Sequence, residues 1–207
     1  MIDTKALNDA IISEFRKNQV ISDSYKKLIK GVATFEDASV FSGELGKICK
    51  SVYGSAMTPE DLDVFALDYT EKLLRANAAI SHEFCDLVGT NLNELGDLGL
   101  QPITPPIDAD RLDGLIENAS EITEQGEIES LLGDNMVDFL QSLVDEYVRQ
   151  NAELQNSLGL KPYVVRKWVG TYGTHDTRRT DYCHELAGTF NYGEQPSKFF
   201  QRHRGCR

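Results

Sequence analysis

A mainly α-helical fold with a small α+β unit at its C-terminal end follows from three observations. Apolar residues recur at helical spacing through most of residues 1–160, and Pro or Gly interrupts them at only a few places. Beyond Gly159-Leu160-Lys161-Pro162 the composition changes to β-branched, aromatic and turn-forming residues. At 207 residues, 41% hydrophobic and 26% charged, the chain can build one core of ordinary size or a helical domain plus an appendage. The divisions expected are an N-terminal helical body over 1–100, a proline-containing crossover over 101–120, a long helix over 121–160 and a compact knot over 161–207.

Each element has its own signal. Ala6, Leu7, Ala10, Ile11 and Phe15 form one apolar stripe, Tyr25, Leu28, Ile29 and Val32 a second, and Phe41, Leu45, Ile48, Cys49 and Val52 a third. Thr58-Pro59-Glu60-Asp61 predicts a helix start: a Thr that can cap, a Pro where its missing N–H costs nothing, and acids at the positive end of the dipole. Leu62, Phe65, Tyr69, Leu73 and Leu74 follow it, and a further helix is predicted over Ser81–Leu95, ending at Gly96 and Gly99. The segment Gln101–Asp108 carries three prolines and reads as an ordered crossover or a hinge, with a short helix after it over Asp110–Ala119. From Ile128 to Leu154 a 3.6-residue period predicts the long helix, in one piece or two, with Gly133 as its weak point. Strands are predicted over Tyr163–Val169 and Gly188–Gly193. Two short strands do not hold by themselves, so packing on the long helix, a metal or a partner must support them.

Charge divides the chain. Residues 161–207 hold nine Lys or Arg against four acids, a net +5, which leaves −17 on residues 1–160 out of a total of −12. An acidic body is unsuited to wrapping nucleic acid, because phosphate binding relies on Lys and Arg displacing counterions. The basic end keeps open a local contact with DNA or docking on an acidic protein surface. No apolar run approaches 18 residues and no signal-peptide pattern opens the sequence, so the expected setting is aqueous and cytosolic. Cys49 and Cys85 sit in apolar helical context and are expected to be buried small hydrophobes.

The stretch VDEYVRQNAELQNSLGLKPYVVRKWVGT, then DYCHELAGTFNY, then RHRGC, spanning Val144–Cys206, resembles the C-terminal part of the minor head (head morphogenesis-type) proteins of tailed bacteriophages. The Gly-Leu-Lys-Pro turn, the Cys-x-x-Leu-Ala-Gly-Thr-aromatic block and the Arg-His-x-x-Cys ending occur in the same order. Toward the N-terminus only GLQPITPPIDADRLDGL, over Gly99–Leu115, is similar. The resemblance implies a structural, non-enzymatic component of the virion, made in the host cytoplasm. Its expected associates are the portal or the major capsid protein, with self-association and packaged DNA as further contacts and no membrane or small-molecule substrate.

The same resemblance implies a zinc-ribbon-like knot. Cys183, His203 and Cys206 match its ligands, whereas Arg179 and Thr180 stand where the family has an earlier cysteine pair, and no counterpart of its final cysteine occurs up to Arg207. Tetrahedral zinc needs a fourth ligand, and His175 suits better than His184, which adjoins Cys183. Buried cysteines with locally bonded histidines, or a Cys183–Cys206 disulfide, are the alternatives. Arg166, Lys167, Arg178, Arg179, Arg202 and Arg204 interleave with Trp168, Tyr172, Phe199 and Phe200 and are the candidate contacts to a partner or DNA. The aromatics are equally suited to a small core beneath a solvated basic rim.

Two other functions stay open: a DNA-contacting internal head protein carried with the genome, and a metal-dependent enzyme. Cys183-His184-Glu185 lacks the His-x-Glu and Pro-Cys-x-x-Cys pattern of a deaminase, while His203 or His175 could serve a Cys nucleophile as base.

Overall fold

The computed structural model describes residues 3–61, 64–128, 134–166 and 186–200 and, within these, all side chains except those of 53–56, 64–66 and 125. The described residues are mainly helical, with one two-stranded sheet.

Helix α1 (Thr4–Lys17) begins at Asp3, whose carboxylate accepts from the N–H groups of Lys5 and Ala6. Asn18 then serves two helices: its N–H closes α1 on Glu14 and Phe15, and its side chain accepts from the Ile21 N–H to open α2 (Gln19–Ile29). Helix α3 (Phe35–Ala56) starts earlier than its apolar stripe at Phe41 suggests, because Thr34 and Asp37 form a reciprocal cap. The Thr34 N–H and hydroxyl donate to the Asp37 carboxylate, and the Asp37 N–H donates back to the hydroxyl.

Thr58-Pro59-Glu60-Asp61 does form a capped turn, with the Thr58 N–H and hydroxyl donating to Asp61, but the turn is a separate 3-10 segment, Pro59–Asp61. Helix α4 follows over Val64–Leu95, uninterrupted where two helices were expected. Residues 75–80, Arg-Ala-Asn-Ala-Ala-Ile, contain no Gly or Pro, and Ala is the strongest helix former, so nothing breaks the chain there. The helix ends with Asp97, not a glycine, in the left-handed region (φ 50°). Past the crossover, α5 (Ala109–Ser120) is capped by Asp108, which accepts from the Arg111 N–H.

Of the long helix expected over 121–160, in one piece or two, two parts lie among the described residues. A single turn, α6 (Gln125–Glu127), is closed by Glu127 accepting from the Thr123 and Glu124 N–H groups, and the helix proper, α7, spans Asn135–Ser157. Helix α7 is the hub of the body, packing on α3, α4 and α5.

The α3–α7 contact is close because of glycine. A Cβ built on Gly46 would fall 2.7 Å from the Val137 Cα, whereas one on Gly43 would meet only the Gln141 amide at 2.6 Å. Lys50 of α3 pairs with Asp134 at the start of α7, 2.7 Å apart. Arg111 of α5 donates to Ser142 and lies over the Phe139 ring, its carbon 5.8 Å from the centroid.

The body's core is aromatic at its centre. Phe41 and Phe84 stack at 4.6 Å, and Tyr25 meets Phe41 edge-on at 5.2 Å. Cys49 and Cys85 are buried, as their helical context predicts, and desolvation pushes both thiols up to about 12. They are small core side chains rather than nucleophiles.

The sheet pairs β1 (Tyr163–Arg166) antiparallel with β2 (Gly188–Asn191), with Val164 opposite Phe190 and Val165 opposite Thr189. Of the two predicted strands, the first is described to Arg166 and the second ends at Asn191, before a turn that puts Gly193 at φ 98°.

Candidate docking site between body and knot

Three local devices bring the C-terminal unit onto α7. The helix stops in a Schellman turn. Gly159 adopts φ 82°, its N–H donates to the Asn156 carbonyl, and the Leu160 N–H reaches back to the Gln155 carbonyl at 3.0 Å. Pro162 then directs the chain into β1, and its carbonyl accepts from the Tyr192 N–H at 2.9 Å, tying the end of β2 to the start of β1. Finally, Val164 and Phe199 bury against Ala152 of α7, with Phe190, Tyr192 and Phe200 around them. Phe199 meets Phe200 edge-on at 5.0 Å and Phe190 at 5.5 Å. This small core is separate from that of the body.

Between the two cores runs a cleft of about 480 Å³. Phe35 and Val40 of α3, Leu92 of α4 and Val144 and Val148 of α7 line its body side; Tyr163, Val165 and Phe200 line the knot side. Tyr163 and Val165 project from the same face of β1 and keep 71% and 56% of their surface exposed, large values for apolar side chains. The charged groups in the lining are Glu36, Asp145 and Arg166.

Arg166 is the one candidate contact residue within the described region. It lines the cleft, and its guanidinium donates to the Phe199 carbonyl, so it also fastens β1 to the segment that carries the small core. Lys167, Arg178, Arg179, Arg202 and Arg204 lie outside the described residues. So do Cys183, His203, Cys206 and His175, and with them Trp168 and the knot's ribbon-like character. Among the described residues no group of three His, Cys, Asp or Glu is placed to hold a metal ion.

Next to the cleft, the crossover is held to α7 by a side chain that the sequence reading passed over. Asn151 accepts from the Ile103 N–H and donates to the Ile103 carbonyl, both at 2.7 Å, in the manner of a neighbouring strand. Its signal was available: a polar residue one helical turn after Tyr147 on the buried face of α7 needs a polar partner. Thr104 adds a hydrogen bond to Asp86 of α4, and Pro102 packs at Gly89. The Tyr147 hydroxyl is buried beside the same glycine, and burial, then Asp86, raises its pKa. One turn before Asp86, His82 is almost fully buried with its Nε2 unpartnered among the described residues, and desolvation lowers its pKa.

The electrostatics at the knot's base are local. Arg149 bridges Glu146 and Glu153 along α7, and its hydrogen bonds hold the Glu146 carboxyl below its usual range. Among the described residues no helix is long and apolar enough to cross a membrane. Comparison of the chain with family models, with curated proteins and with solved structures finds no match.

Proposed function

We propose that this chain is a structural minor head protein of a tailed bacteriophage, associated with the portal or the capsid interior, that acts in head assembly by docking rather than by turning over a substrate. The observation that carries the reading is that the described part of the resembling sequence spans the junction of body and knot. Within Val144–Cys206, the Gly-Leu-Lys-Pro motif is the Schellman stop, Tyr163–Arg166 is β1, and Leu-Ala-Gly-Thr-Phe runs into β2 with Leu186 buried. The resembling stretch thus includes residues that join the knot to the body and part of the cleft's wall, Val144, Val148, Tyr163, Val165 and Phe200. The cleft's apolar lining, with Tyr163 and Val165 exposed beside it, could seat apolar side chains of a neighbouring subunit.

The test is protein mass spectrometry of purified heads of the phage whose genome carries this sequence, alongside co-purification with its portal and major capsid proteins. The chain is expected in the heads and bound to one of the two. Its presence only in the lysate of infected cells would overturn the reading, and binding to DNA that weakens steeply with salt would favour the internal DNA-contacting role instead.

Zinc belongs to the same proposal. Two thiols and two imidazoles, from Cys183, Cys206, His203 and His175, are a donor set that suits tetrahedral zinc, which would tie the knot together. About one zinc per chain, lost in both Cys183→Ser and Cys206→Ser, is the expected metal analysis; metal-free protein prepared without chelator would refute the site.

A further inference from the structure

We draw no further inference here: the strongest candidate, the apolar cleft between α3, α7 and β1, belongs to the site already described, and nothing among the described residues shows what covers it.

Discussion

The body and the knot solve the problem of burying apolar surface in opposite ways. In the body, six helices contribute to one continuous core that includes Phe41, Phe84, Phe139 and Tyr147. Among the described residues of the knot, the buried apolar ones are Val164, Leu186 and Phe199, and Val164 and Phe199 share their small core with Ala152 of α7. The body's core is contained within its own helices, whereas the described part of the knot buries its apolar side chains against α7. The asymmetry teaches that the junction is the informative region of the molecule, because there the described part of the knot shares a small core with α7.

The sharpest way to break this comparison is a pair of truncations. Phe41→Ala removes a ring at 0% exposure and should destabilise the body by about 3–5 kcal/mol, lowering the melting of helix and knot together. Phe199→Ala should instead abolish hydrogen-exchange protection at Val164, Val165, Thr189 and Phe190 while the α3 and α7 amides stay protected. Loss of protection throughout the chain in the second variant would show that the two units are one cooperative whole.

A smaller effect tests the helix hub. Gly46→Ala places a methyl group against the α7 backbone and should cost about 1–3 kcal/mol of stability in a denaturant melt. Gly43→Ala should cost less, since the end of the Gln141 side chain can move aside. Equal costs would mean that α3 and α7 adjust as rigid bodies.

Asn151→Ala leaves the Ile103 N–H and carbonyl without their partner, at a cost of about 1–3 kcal/mol, and limited proteolysis should then cut first within the Gln101–Asp108 crossover. An unchanged cleavage pattern would assign the crossover's hold to Thr104 and Pro102.

The smallest effect is one of pH. Burial depresses the His82 pKa, so the unfolded chain binds the proton more readily. Its contribution to stability is complete above the unfolded value of about 6.5 and is lost as pH falls through and below it. The pH dependence in that window should flatten in His82→Gln.

Much of this was legible in the sequence, and the exceptions are physical. The stripes of α3 and α7, the capped turn at Thr58 and the stop at Gly159 are local signals, and local signals survive folding. Of the stripe expected at Tyr25, Leu28, Ile29 and Val32, only Leu28 is buried, and Ile29 is 84% exposed because α2 turns Ile21 and Ser24 inward instead. The fusion of two expected helices into α4 went unread because it depends on the absence of a breaker at Arg75–Ile80, and an absence makes no pattern. The early start of α3 rests on the Thr34–Asp37 pair, in which Asp stands where Glu or Gln is the usual partner. The cleft could not be read at all. Val40, Leu92, Val148 and Tyr163 are far apart in sequence, and each by itself looks like an ordinary apolar residue of its own element.

The Schellman turn at Gly159 also has a mechanical meaning. Along the chain the knot follows directly on the C-terminus of α7, a helix gripped by α3 at Gly43 and Gly46, by α5 at Arg111 and by the crossover at Asn151. Tension drawn along the chain from β1 would pass through the turn at Gly159 and Pro162 before it met that helix and its three grips.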